Sequence, residues 1–337
     1  MSRKTYKQII TSPEKTELFN EKNKQLIKLF LREKDTRSSS ETVSGYASDL
    51  NIFFSFALEN LDNKFFVDIK KSEFSMFFSF CVSDLKWGSA RFNRMRSCLS
   101  SLSNYIERVM DDEFPLYRNM ILKAIETMPR VASREKTVLS EEQVNKLLAF
   151  LLNEGRTQEC TLLALAIGSG ARISELLRFN IDIINPENTA YDGLFIESSK
   201  MIKTKGRTKM GDLKYKYIIK SLFMPYYEKW LIDRKKIMEQ YNQDHNHIFI
   251  KSDGTPATVE TIRYWISLWE KILGVDIYAH AFRHYCVTFL TRAGLPSELV
   301  ISLMGWKSPG MFLIYNDVSD KEREWKELSK LKEHLEK

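Results

Sequence analysis

The chain has 337 residues, of which 43% are hydrophobic and 12% aromatic, and a formal net charge of +7. That length accommodates two domains at ~100–200 residues each, and the positive excess favours a polyanion such as nucleic acid as partner. No run approaches the ~20 apolar residues of a membrane span, and the basic start, Met1 to Lys7, has no apolar segment after it. A soluble, cytoplasmic protein is expected. The four cysteines (Cys81, Cys98, Cys160, Cys286) lie far apart without a CxxC pair, so neither a zinc site nor a disulfide framework is expected.

Residues 1–20 are polar and are expected to be a loosely ordered tail. A first helix is predicted from Glu21 to Arg32, carrying Leu26, Ile27, Leu29, Phe30 and Leu31. Ser38-Ser-Ser-Glu41 then has the hydroxyl and the later carboxylate of a helix start. It leads into Tyr46, Leu50, Phe53, Phe54 and Ala57 at helical spacing. Further helices are predicted over 72–85 and 89–109. The second places Phe92, Met95, Leu99, Leu102 and Ile106 on one face and Arg91, Arg94 and Arg96 off it. Residues 21–127 therefore read as a helical domain with a basic surface.

Between 128 and 137 the periodicity is lost, and a linker is placed there. Ser140, followed by two glutamates, caps a new helix whose dipole favours acids in the first turn. Cys160 to Ile167 reads as a buried helix that ends at Gly168-Ser-Gly170. The runs Leu194–Glu197 and Tyr215–Ile219 alternate like strands, and a long Lys/Gly-rich turn between them makes a hairpin. Helices follow at 222–241, 258–273, 280–293 and 297–304. A last amphipathic helix, about 319–335, puts Trp325, Leu328, Leu331 and Leu335 on one stripe. The fold class is α-rich with two domains: a helical one and a mixed α+β one, 138–318, with a small β-sheet or hairpin.

Four separated polar residues carry the chemistry. Arg172 lies near a helix start, with Glu175 one turn on to orient its guanidinium. The Gly168-Ser-Gly-Ala run before it would let a substrate approach the backbone closely. His280 and Arg283 share a helix face at i, i+3. An imidazole can exchange a proton near neutral pH, and a guanidinium offers a rigid fork of donors to phosphate oxygens. His284, next to Arg283, is read as structural. Tyr315 follows Pro309-Gly310 in a short helix or turn, so its phenol need not be buried. A phenol is a weak nucleophile at neutral pH until a base and nearby cations assist it. Two arginines, a histidine and a tyrosine can together clamp a phosphodiester and attack it.

In this order and context, Arg172, His280-x-x-Arg283 and Tyr315 resemble the tyrosine recombinase (phage integrase) family. The weaker pattern Thr42-x3-Tyr46-x2-Asp49-Leu50-x2-Phe53 resembles its core-binding domain. The resemblance implies a SAM-like helical domain and a catalytic domain closing on duplex DNA as a C-shaped clamp. It implies cleavage of one strand by Tyr315 through a 3′-phosphotyrosine, then resealing, with no cofactor and no metal. It places Trp306 at the His-or-Trp position whose ring N–H bonds the scissile phosphate. It also implies a hairpin lysine as proton donor to the leaving 5′-oxygen; Lys200 is the first choice, with Lys203 its main rival and Lys205 a further candidate. Family members dock a C-terminal helix, here 319–337, on a neighbouring protomer and assemble a tetramer on two DNA sites. Accessory proteins are possible partners. The short N-terminal tail leaves no room for a further arm-site domain. A type IB topoisomerase-like activity and a catalytically silent DNA-binding protein on this fold are the alternatives.

Overall fold

The computed structural model describes residues 10–129, 137–206, 211–318 and 328. The described residues divide into two compact units, one of 10–129 with 206 and 211, the other of 137–205 and 212–318 with 328. Most of the predicted linker, and all of 319–337 except Leu328, lie outside the described residues.

The first unit is helical: α1 (Pro13–Glu17), α2 (Glu21–Arg37), α3 (Ser40–Asn60), a 3-10 turn (Phe66–Asp68), α4 (Lys71–Ser83), α5 (Ser89–Val109) and α6 (Ile121–Ala124). Side-chain oxygens of Ser12, Asn20 and Ser39 cap the first three, supplying acceptors to otherwise unpaired first-turn N–H groups. The segment 10–20 is thus more ordered than its polarity suggests. Ser12 caps α1, Pro13 stands in its first turn, Lys15 pairs with Glu59, and Phe19 is buried. The core is a cluster of phenylalanines. Phe53, fully buried, has ring centroids of Phe77, Phe54 and Phe74 at 5.0, 5.2 and 5.6 Å. Such pairs add about 0.5–1.5 kcal/mol each beyond the burial of their area. The basic surface expected on α5 is partly spent on the protein itself. Arg91 and Arg94 both pair with buried Asp49, and Arg96 donates to the Ile125 and Leu122 carbonyls.

The second unit is built around α8 (Thr157–Ser169), which follows α7 (Glu141–Asn153) and is buried along almost its whole length. A helix apolar all round must sit inside its domain. Here α8 packs against α7, α10 (Lys220–Gln240), α12 (Ala279–Arg292) and a strand. After α8 come the single turn α9 (Ile173–Leu176) and the strands β1 (Thr189–Ala190), β2 (Phe195–Glu197), β3 (Ile202–Thr204), β4 (Asp212–Lys214) and β5 (Tyr217–Ile219). The strands form two antiparallel sheets. One has the order β1-β2-β5, with Phe195 opposite Ile219 and Glu197 opposite Tyr217; the other pairs β3 with β4, Lys203 opposite Leu213. The predicted hairpin is therefore real in β2 and β5, but its "turn" is itself paired. Buried Ile202 and Thr204 flank exposed Lys203, the period-2 pattern of a strand, within a run that charge makes look like a loop. The unit is completed by α11 (Val259–Leu273), α13 (Ser297–Leu303) and α14 (Gly310–Tyr315). Among the described residues, no helix is long and apolar enough to cross a membrane.

Candidate active site

The end of α8 sets the first arginine. Gly170 takes a left-handed conformation (φ 56°), and a Cβ there would meet Met304 Sδ at 2.8 Å and Cys286 Sγ at 3.3 Å. The glycine is thus required by the helix cap and by packing. Close substrate approach, the reason expected from the sequence, is not what crowds this position. The chain then turns so that Arg172 stands immediately before α9. Its backbone N–H and Nη1 donate to Glu175 Oε2 and Oε1 at 3.2 and 2.8 Å, which fixes the guanidinium as the spacing suggested. Glu175 is fully buried and also accepts from Lys216 Nζ at 2.8 Å. Burial alone would raise its carboxyl pKa. The charges and hydrogen bonds of Lys216 and Arg172 outweigh that and hold it at about 2.

The first turn of α12 supplies the next pair, in unequal surroundings. His280 is exposed, whereas Arg283 is only 1% exposed. Arg283 Nη1 donates to the Gly170 carbonyl at 2.6 Å, tying α12 to the end of α8. Its Nε and Nη2 are buried without a hydrogen-bond partner among the described residues. The pKa of His280 is lowered, first by partial desolvation and then by the positive charges of Arg172, Arg283, His284 and Lys205. It is therefore an uncharged imidazole at neutral pH, able to accept a proton.

Tyr315 ends α14 and is buried at 6% exposure, contrary to the expectation of an open phenol. Aromatic neighbours cover it. Trp306 stacks on it at 5.3 Å and 20°, the His284 ring lies at 4.8 Å, and the His280 ring is near parallel at 6.4 Å. The Arg283 guanidinium carbon sits 5.0 Å from the Trp306 centroid and 5.3 Å from that of Tyr315. Trp306 Nε1, like the two Arg283 nitrogens, is buried without a hydrogen-bond partner among the described residues. His284 Nδ1 lies 2.8 Å from Asp317 Oδ2, and the Asp317 N–H donates to Thr288 Oγ1 at 3.1 Å. These two contacts fasten the residues after Tyr315 to α12.

The hairpin lysines separate by their partners. Lys200 is exposed and bonds Asp182 at 2.7 Å. No hydrogen bond, ion pair or ring contact among the described residues joins it to Arg172, His280, Arg283, Trp306 or Tyr315. Lys205, exposed just after β3, is near enough for its charge to bear on His280. Lys214 of β4 donates to the Gly305 carbonyl, and Lys307 pairs with Asp212 at 2.9 Å, so β3–β4 is held to the segment carrying Trp306. The structure thus brings together Arg172, His280, Arg283, Trp306 and Tyr315, and leaves Lys200 outside. The reading of the sequence missed Lys216 and Asp317. The signal for Lys216 was a charge at an inward position of an alternating strand, in register with buried Ile218. Among the described residues, no group of three or more His, Cys, Asp or Glu side chains is placed to hold a metal ion.

Comparison with known proteins places the family and the fold. The model of the phage integrase family matches residues 137–322. The chain is 24% identical over 295 residues to a tyrosine recombinase of Thermosipho africanus, covering 85% of this chain and 92% of that one. It is 25% identical over 300 residues to the tyrosine recombinase XerC of Oceanobacillus iheyensis, covering 85% and 88%. In fold it is similar to a XerH site-specific recombinase bound to a palindromic difH substrate in a post-cleavage complex (TM-score 0.65, 20% identity, 90% of this chain and 83% of that one). It is also similar to a lambda integrase dimer bound to a core site (TM-score 0.62, 15% identity, 87% and 95%).

Proposed function

This chain belongs to the phage integrase family, and on that premise we propose that it is a tyrosine-type site-specific DNA recombinase with Tyr315 as nucleophile. The observation that carries the reading is the set of three buried donors without partners, Arg283 Nε, Arg283 Nη2 and Trp306 Nε1, packed around the Tyr315 ring. Buried polar groups are normally paired. Donors left unpaired beside a phenol fit a site completed by an anion, and a phosphodiester has the oxygens to meet them.

The chemistry follows from these positions. Tyr315 Oη attacks the scissile phosphorus, its proton passes to uncharged His280, and the bond from phosphorus to the 5′-oxygen breaks. The products are a 3′-phosphotyrosine and a 5′-hydroxyl. Arg172, Arg283 and the Trp306 N–H stabilise the charge that builds on the non-bridging oxygens. Lys205, rather than Lys200, protonates the departing 5′-oxygen, because its charge acts at the site while Lys200 is engaged by Asp182. The reverse attack by a 5′-hydroxyl of another strand restores a phosphodiester and frees Tyr315. Because the ester keeps the bond energy, the cycle needs no nucleotide cofactor. Duplex DNA and further copies of this chain are the partners, with a tetramer joining two sites, as in integration, excision or resolution.

The test uses duplexes enriched from a randomised pool by binding to the protein, nicked near the crossover so that cleavage becomes irreversible. The wild type is expected to form a protein–DNA adduct that resists boiling in detergent, and to join strands between two such duplexes. Binding without any adduct would identify a catalytically silent protein. An adduct with relaxation of supercoils but no exchange would identify a topoisomerase.

A further inference from the structure

Lys216 is an unusual residue to find inside a protein. It is 3% exposed, and its ammonium has Glu175 as its single hydrogen-bond partner among the described residues. Its backbone is fixed on both sides: its N–H donates to Ser198 Oγ at 2.9 Å, and its carbonyl accepts from the Ser198 N–H at 2.8 Å. The side chain therefore projects from a backbone pinned just before β5 to Glu175. Burying a lysine is unfavourable, and its pKa is lowered by desolvation and, against the pull of Glu175, by the nearby charges of Arg283 and Arg172. A cation held in that place needs a compensating role.

The role is visible in the charge count around Glu175. Arg172 and Glu175 alone form a neutral pair, in which a fully buried carboxylate faces the guanidinium meant for the phosphate. The carboxylate fixes Arg172 through two hydrogen bonds, but it would also repel an approaching phosphate. With Lys216 on Oε2, the trio Arg172, Glu175 and Lys216 carries one net positive charge. We propose that Lys216 is a positioning residue of the strand-transfer site: it neutralises Glu175 from the protein side, so that the carboxylate can orient Arg172 without cancelling its charge at the phosphate. This rests on the recombinase reading above, and it assigns Lys216 no contact with DNA.

The experiment measures single-turnover adduct formation by the full chain on the nicked, selected duplex, made with an ordinary scissile phosphate or with an uncharged methylphosphonate in its place. Lys216→Met is expected to slow cleavage of the phosphate about 10²-fold, as for loss of one electrostatic stabiliser, and to be much less defective on the methylphosphonate. Lys216→Arg, which keeps the cation, should recover most of the rate. In a Glu175→Gln background, where no carboxylate remains to be neutralised, adding Lys216→Met should change the rate less than about threefold. Equal defects on both substrates, or a large further loss in the Glu175→Gln background, would overturn the proposal. The second comparison decides the matter even if Lys216→Met alone, which leaves a buried carboxylate short of one cation, does not fold. Absence of any adduct from the wild type would instead sink the recombinase reading itself.

Discussion

Two buried charged residues, Asp49 in the helical unit and Arg283 in the second, are met in different ways. In the helical unit, Asp49 is 1% exposed and is met by Arg91 and Arg94, while Asn23, fully buried, bonds the Lys64 carbonyl and the Phe66 N–H. In the second unit, Arg283 is equally buried, yet two of its nitrogens and the Trp306 indole N–H have no hydrogen-bond partner among the described residues. The buried charge of Asp49 is thus met by two opposite charges from its own unit. Around Arg283 aromatic rings and the Gly170 carbonyl hold the side chain, and on the proposed reading an anion completes the arrangement. Unpaired buried donors cost stability, and on the proposed reading that cost at Arg283 and Trp306 is kept for chemistry.

Substitutions at the two places should then fail differently. Phe53→Ala removes the ring at the centre of the aromatic cluster and should lower unfolding free energy by about 3–5 kcal/mol, read from urea denaturation; a loss below about 1 kcal/mol would mean that the cluster is not the core of that unit. Arg283→Met should slow adduct formation about 10²–10³-fold while costing much less stability than Phe53→Ala, since loss of the bond to the Gly170 carbonyl is offset by removal of two unpaired donors. A joint collapse of rate and stability would erase the contrast. Lys205→Ala should slow cleavage about 10²-fold and be rescued when the leaving 5′-oxygen is replaced by sulfur, which departs without a proton. Lys200→Ala should do neither, and the reverse pattern would return the role to Lys200.

The smallest effect is in pH. The pKa of His280 is below its ordinary value in the folded chain, so the unfolded chain binds the proton first as pH falls. The stability it contributes is therefore complete above about pH 6.5 and is lost as pH falls from there through the lowered value. The acid limb of the cleavage rate should likewise lie below pH ~6.5, and His280→Asn should remove it. A limb above that value would assign the proton transfer to another group.

Much of this was legible from residue order. Helical spacing of Phe92, Met95, Leu99 and Leu102 marked α5 to its observed bounds, and Ser140 with Gln143 forms the capping box that starts α7. Arg172, His280, Arg283 and Tyr315 stood out as a set, through an order and motif context that resemble the tyrosine recombinase family. What stayed hidden depends on distant packing. Strand β3 is a strand because Ile202 and Thr204 find a core, which local charge conceals. Tyr315 is buried because Trp306 and His284 come to it from other elements. Lys200 follows a strand and a serine pair as expected for the proton donor, but Asp182, 18 residues earlier, takes its ammonium. Tertiary partners decide such choices, and sequence spacing does not list them.

The central claim is that Tyr315 itself carries the DNA. Adduct formed on the nicked, selected duplex can be digested with nuclease and trypsin, and the modified peptide located by mass spectrometry. The account predicts a nucleotide remnant on the peptide 308–321, at Tyr315, and none in Tyr315→Phe, which should still bind the duplex. A remnant on any other residue, or an undiminished adduct from Tyr315→Phe, would contradict it.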